Sequence, residues 1–124
     1  MARILVVDDS PTDTHEMVNM LANDGHQVLT AATGSDGIAL ASAELPDVIL
    51  MDVVMPDMNG FQATRQITRA AQTSHIPVVI VSSKNQVADR VWGERQGARE
   101  YLVKPLDHKV LLQTVNTLLE HPAP

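Results

Sequence analysis

Four short apolar runs, each ending at a polar residue suited to phosphate or metal chemistry, constrain this chain more than any other feature. Ile4-Leu5-Val6-Val7 stops at Asp8-Asp9, and Val48-Ile49-Leu50-Met51 stops at Asp52. Val78-Val79-Ile80-Val81 stops at Ser82, and Tyr101-Leu102-Val103 stops at Lys104-Pro105. Runs this short, rich in branched residues and separated by helix-length segments, read as parallel strands buried on both faces. Ligands of an open parallel sheet bind just beyond the carboxyl ends of its strands. Such a sheet therefore gathers three carboxylates, a hydroxyl and an ammonium at a single edge.

The segments between the runs carry helix signals. Ser10-Pro11-Thr12-Asp13 combines a cap residue, proline at the first helical position and an acid at the third. Met17, Val18, Leu21 and Ala22 supply an apolar face, and Gly25 is placed to end that helix. Gln27 to Ala31 reads as a second, more polar strand suited to a sheet edge. Ser35 to Ala43 predicts a short helix around Ile38 and Ala41. The loop Met55-Pro56-Asp57-Met58-Asn59-Gly60 leads into a helix carrying Phe61, Thr64 and Ile67. Val87 to Gln96 predicts a helix with Val87, Val91 and Trp92 turned inward, ending at Gly97. Asp107 caps a last helix with Leu111, Val115 and Leu118 inward. Five β-α units predict an α/β fold with a doubly wound, five-stranded parallel sheet. The expected division is one domain over 1–119 and a flexible tail over 120–124.

Composition narrows the function. A chain of 124 residues can bury one core and is too short for two ordinary domains. Net charge is −6, whereas nucleic-acid modules usually present a basic face, so no nucleic-acid partner is expected. Without cysteine, disulfides, thiolate metal sites and thiol nucleophiles are excluded. The apolar stretch after Met1-Ala2-Arg3 is too short for a signal peptide, and no run reaches membrane-spanning length. The expectation is a cytoplasmic protein without membrane insertion. Neither G-x-x-x-x-G-K-[ST] nor a G-x-G-x-x-G after the first strand is present. The five histidines lack metal-ligand spacing and read as surface residues.

The converging strand ends have a coherent chemistry. Asp8, Asp9 and Asp52 would repel one another and raise one another's pKa unless a cation were present. A hard divalent ion removes that conflict, and Mg²⁺ suits a few carboxylates plus several waters. A carboxylate beside such an ion can attack phosphorus and form an aspartyl phosphate. Phosphoryl transfer then needs alignment and neutralisation of the equatorial oxygens, for which Lys104 offers a point charge and Ser82 a hydroxyl. Singly, each residue has a plainer reading. Asp8-Asp9 suits a solvated turn, Lys104 a surface lysine and Tyr101 a packed strand residue. Their joint placement distinguishes the chain.

These residues resemble the response-regulator receiver domain from Arg3 to about Leu119. The matched features are Asp8-Asp9, Asp52 after Val48-Ile49-Leu50-Met51, Met55-Pro56, Gly60, Ser82, Tyr101 and Lys104-Pro105. Ser82 lies 30 residues after Asp52 and Lys104 lies 52 after it, spacings similar to the family's. The resemblance implies a flavodoxin-like (β/α)5 receiver with strand order 2-1-3-4-5. It also implies that Asp52 accepts a phosphoryl group from a histidine kinase or phosphotransfer protein. Asp9 and Asp52 would hold Mg²⁺ with side-chain oxygens, the Val54 carbonyl would add a ligand, and Asp8 would act through water. Lys104 would contact the phosphoryl oxygens, Ser82 would shift toward them, and Tyr101 would move inward behind Ser82. Pro105 would follow a cis bond. Gly60 to Gln66 and Val91 to Arg99 are further similar to single-domain regulators of the chemotaxis-like system that controls type IV pili and twitching motility.

The resemblance thus implies a stand-alone response regulator of a two-component phosphorelay, expected as a monomer. Its catalysis would be confined to its own phosphorylation and dephosphorylation. The chain closes shortly after its last helix, so the signal is expected to leave through contact with a target protein. The expected contact face is formed by the helix at Val87–Gln96, the strand at Tyr101 and the last helix. A phosphate sink or shuttle serving a sister regulator is an alternative, as is a scaffold that kept the fold and lost phosphorylation. A Mg²⁺-dependent phosphatase of the haloacid-dehalogenase kind needs a second acid two residues after its nucleophile. Ser10 stands at that position after Asp8.

Overall fold

The computed structural model describes residues 2–120. Strands β1 (Arg3–Val7), β2 (Gln27–Ala31), β3 (Val48–Met51), β4 (Val78–Ser82) and β5 (Glu100–Val103) alternate with five helices. The helices are α1 (Pro11–Asn23), α2 (Gly34–Glu44), α3 (Gly60–Arg69), α4 (Val87–Arg95) and α5 (His108–Glu120). All strand pairings are parallel, and the order is β2-β1-β3-β4-β5. The doubly wound parallel sheet expected from the runs is formed, in the flavodoxin-like receiver order that the resemblance implies. The polar β2 lies at an edge, where one of its sides goes unpaired.

Strand periodicity divides the core. Ile4, Val6, Leu50, Val79 and Val81 point to one face, where Met17 and Leu21 of α1 and Leu111, Val115 and Leu118 of α5 cover them. Leu5, Val7, Ile49, Met51 and Val78 point to the other, against Ala41 of α2 and Ala63 and Ile67 of α3. A third cluster at the β4–β5 end joins Val53, Phe61, Ile80 and Tyr101. β1, β3 and β4 thus lose water on both faces, which their continuous apolar runs require.

Helix starts follow their local signals. Ser10 is the N-cap of α1 and accepts from the Asp13 N–H at 3.2 Å, with Pro11 inside the first turn. Asn59 and Gln62 close a reciprocal capping box at α3, 2.9 and 3.0 Å. Gly25 follows α1 at φ +87°, a left-handed conformation that favours glycine.

Four sequence expectations need correction. Val87, Val91 and Trp92 of α4 face solvent, at 77%, 43% and 49% exposure, and Gly93 is the buried residue of this helix. A Cβ on Gly93 would come within 2.9 Å of Ile80 Cδ1 and 3.2 Å of Tyr101 Cδ2. The helix therefore docks through a position without a side chain, on the opposite side from the apolar stripe. His26 is not a surface residue: its ring is 7% exposed, Nδ1 accepts from the Ala2 N–H at 3.3 Å, and Nε2 lies 3.3 Å from Asp24. His15, His75 and His108 are exposed, and His121 lies outside the described residues. Ala22, read as part of the inward face of α1, is exposed. Glu120, assigned to the tail, belongs to α5, and the remainder of that segment, 121–124, lies outside the described residues.

Candidate functional site

The sheet order sets the carboxyl ends of β1 and β3 side by side, with Val7 paired to Met51. The residues that follow are held by the same ladder. The Asp8 N–H donates to the Ala31 carbonyl at 3.0 Å, and the Asp52 N–H to the Val7 carbonyl at 2.9 Å. On the far side, the Lys104 N–H donates to the Ser82 carbonyl at 2.9 Å, so β4 and β5 deliver hydroxyl and ammonium at one level. Gly60 allows the α3 start to press on this edge. A Cβ there would overlap the Asp52 carbonyl oxygen, and its N–H donates to the Val53 carbonyl at 2.8 Å.

Asp8, Asp9 and Asp52 each direct a carboxylate oxygen into one cluster, all within 4.8 Å of one another. The Asp8 side chain has no exposure and that of Asp52 has 10%, whereas Asp9 is exposed. Three carboxylates this close suit a hard divalent cation, whose charge offsets their repulsion and whose open side can keep water. Burial, followed by repulsion from Asp8, pushes Asp52 up from the ordinary 3.8 to about 6, against the pull of Lys104. A carboxylate with an unrelieved charge beside it suits a site that accepts a cation or an electrophile.

Lys104 Nζ lies among three acids, 2.8 Å from Asp13, 2.9 Å from Asp8 and 3.4 Å from Asp52. Burial works against its charge, yet the Asp13 and Asp8 hydrogen bonds and the field of Asp52 hold it above the usual lysine range. Ser82 is buried, and its Oγ accepts from the Lys84 N–H at 3.1 Å. Tyr101 is packed inward, with its hydroxyl donating to the Lys84 carbonyl at 2.7 Å. The Lys84 peptide groups thus connect the Ser82 and Tyr101 side chains. Arg90 stands over the Tyr101 ring, 5.5 Å from its centroid, and donates to its carbonyl at 3.3 Å. The Val54 side chain is exposed beside Asp52, and Pro105 follows a cis bond.

Asp8, Asp9, Asp52, Val54, Ser82, Lys104 and Pro105 lie at or next to the carboxyl edge of the sheet, whereas Tyr101 sits two residues inside β5, paired with Ile80. Two others were legible only as local structure. Asp13 reads as a first-turn helix acid and also grips Lys104. Asp57 reads as a loop residue, but its carboxylate accepts from the Gly34 and Ser35 N–H groups and the Ser35 hydroxyl, at 3.0, 2.9 and 2.6 Å. Those bonds, led by the Ser35 hydroxyl, hold Asp57 well below the usual carboxylate range. They also tie the loop after Asp52 to the N-terminus of α2.

A parallel sheet in this order, with an acid cluster, a lysine and a hydroxyl at its carboxyl edge, defines a receiver-type α/β domain. The chain belongs to the response regulator receiver domain family, whose description matches residues 4–116. It is similar to Protein PilH of Pseudomonas aeruginosa, 61% identical over 119 residues, which cover 96% of this chain and 98% of that protein. Several longer regulators also match, and of these the chain spans between 26% and 52%. Among solved structures, the chemotaxis protein CheY4 of Vibrio cholerae superposes with a TM-score of 0.90 at 33% identity, covering 96% of this chain and 99% of that one. The receiver domain of the sensor histidine kinase PA1611 from Pseudomonas aeruginosa, solved with magnesium coordinated in its active-site cleft, gives 0.89 at 27% identity. That match covers 96% of this chain and 98% of the other.

Proposed function

We propose that the protein is a stand-alone phosphorylation switch in which Asp52 accepts a phosphoryl group from a histidine kinase or phosphotransfer protein. The observation that carries this reading is the position of Asp52. Within the acid cluster it lies 3.4 Å from Lys104 and keeps 10% of its side chain exposed, whereas the side chain of Asp8, the other acid against Lys104, has no exposure. An Asp52 oxygen attacks phosphorus, the N–P bond of the donor breaks, and its electron pair leaves on the imidazole, which takes up a proton. Asp9 and Asp52 would hold Mg²⁺ with their carboxylates, with the Val54 carbonyl as a further ligand and Asp8 acting through water. Bound there, the ion supplies neutralisation of phosphoryl charge. The magnesium seen in the PA1611 receiver supports that assignment.

Lys104 contacts the new phosphoryl oxygens in this scheme, and Ser82 turns toward them. That turn releases the Lys84 N–H from Ser82 Oγ and disturbs the Lys84 carbonyl held by Tyr101. Tyr101 would take the inward place behind Ser82, where its ring is buried and its hydroxyl reaches the Lys84 carbonyl. Phosphorylation would thereby select among arrangements of Tyr101, the Lys84 segment and α4. The face bearing Val87, Val91 and Trp92 then alters its fit to a target protein. Similarity to PilH, together with the Gly60–Gln66 and Val91–Arg99 segments, supports a role in a chemotaxis-like system controlling twitching motility. A cytoplasmic monomer suits that role.

The test is labelling by acetyl phosphate, followed by intact mass and peptide mapping. Wild type is expected to gain one phosphoryl mass on Asp52 only with Mg²⁺, and Asp52→Asn none. Labelling of Asp52→Asn at the wild-type rate removes Asp52 as the acceptor. Turnover of p-nitrophenyl phosphate would instead favour a phosphatase.

A further inference from the structure

Lys104 is not held chiefly by the residue it is meant to serve. Its two short contacts are to Asp13 and Asp8, and the contact to Asp52 is longest at 3.4 Å. Asp8 and Asp52 also belong to the carboxylate group able to hold a cation, but Asp13 does not. Asp13 stands in the first turn of α1, with its side chain 37% exposed and its N–H tied to Ser10 Oγ. The pair lines a cavity of about 220 Å³ together with Glu16, Met17, Pro105 and Leu106. Lys104 therefore has room on the Asp13 side, away from Asp52. Asp8 and Asp52 would hold a cation, whereas the grip of Asp13 on the ammonium lies outside that cluster.

We propose that Asp13 is a positioning residue that holds Lys104 back from Asp52 and competes with the incoming phosphoryl oxygens for its ammonium. This rests on Asp52 being the acceptor. In the reaction with acetyl phosphate, Asp52 attacks phosphorus, the bond to the acetyl oxygen breaks, and acetate leaves with the electron pair. Lys104 stabilises the charge on the phosphoryl oxygens only after giving up its contact with Asp13. Removing the Asp13 charge frees the ammonium for that task without touching the cation cluster.

The experiment measures the initial rate of Mg²⁺-dependent phosphorylation by acetyl phosphate in full-length wild type, Asp13→Asn, Lys104→Met and the double variant. Asp13→Asn is expected to label faster, by roughly three- to tenfold, the scale of losing one partly exposed charge-assisted contact. In the Lys104→Met background the same substitution is expected to change nothing, whereas an effect exerted through the stability of α1 would persist there. A second readout needs no phosphoryl donor. The ¹⁵N resonance of the Lys104 ammonium in metal-free protein is expected to move in Asp13→Asn and to return toward its wild-type position in Asp13→Glu. An unchanged or slower rate, acceleration that survives Lys104→Met, or a stationary Lys104 resonance overturns the proposal. If wild type is not labelled on Asp52 at all, the acceptor assignment itself falls, and the role of Asp13 falls with it.

Discussion

Asp52 shows how one side chain can be costly to the fold and suited to the proposed chemistry. Its carboxyl ionises near 6 in the folded chain, against 3.8 ordinarily, because burial and Asp8 oppose its charge more than Lys104 supports it. Below about pH 4 the group is protonated in both folded and unfolded chains, and the folded state loses nothing. As pH rises through 6, the folded state must ionise a buried acid that the unfolded chain ionises freely, so stability is lost. In metal-free buffer at pH 7.5, Asp52→Asn is therefore expected to stabilise the fold by about 1–2 kcal/mol, allowing for solvent screening at this partly open site. Denaturant melts across pH check the sign: the gain should fade toward pH 4. A gain of equal size at pH 4 and pH 7.5 would detach the effect from ionisation.

The helices differ in how they meet the sheet, and α4 differs most. α1, α3 and α5 place large apolar residues inward at helical spacing, as their sequences announce. α4 carries an equally plain apolar stripe, Val87, Val91 and Trp92, but keeps it outside because Gly93 provides the close approach to Ile80 and Tyr101. A residue two positions from Val91 lies about 200° around the helix, so the two patterns exclude each other. Gly93→Ala is expected to lower stability by about 1–3 kcal/mol, since the neighbours at 2.9 and 3.2 Å must shift. Val91→Ser, on the exposed stripe, should stay within about 0.5 kcal/mol. Thermal melts of the two variants distinguish the faces, and equal losses would return Val91 to the interior.

At the scale of the molecule, the sheet brings residues from opposite ends of the chain to one edge, and the cost of gathering like charges there falls on the whole fold. A divalent ion that binds the folded cluster and not the dispersed unfolded chain should stabilise it by mass action. Mg²⁺ at about 100 times its dissociation constant should then add roughly 3 kcal/mol to wild type. Asp9→Ala, which removes an exposed member of the cluster, should lose most of that gain, as a titration followed by melting would show. Much of this was readable beforehand. Branched apolar runs specify buried strands locally, the Ser10-Pro11 signal starts a helix locally, and parallel strands put their carboxyl ends together whatever fills the loops. Those rules bring Asp8, Asp9, Asp52, Ser82 and Lys104 to one edge, and the family resemblance supplied the strand order that sets them side by side. What they leave open are relations between segments far apart in sequence. Nothing near Asp13 announces that Lys104, 91 residues later, ends 2.8 Å away. Nothing near His26 announces that its ring folds against Ala2. Nothing in the α4 stripe reveals that a glycine would take the inner side. The sequence by itself determined the strands, their order of chemistry and the edge where it gathers, because those depend on local pattern and on general sheet geometry. Only the tertiary structure decided which helix face is buried, which carbonyl Tyr101 reaches and which acid holds Lys104, because each depends on side-chain distances that exist only once the chain has packed.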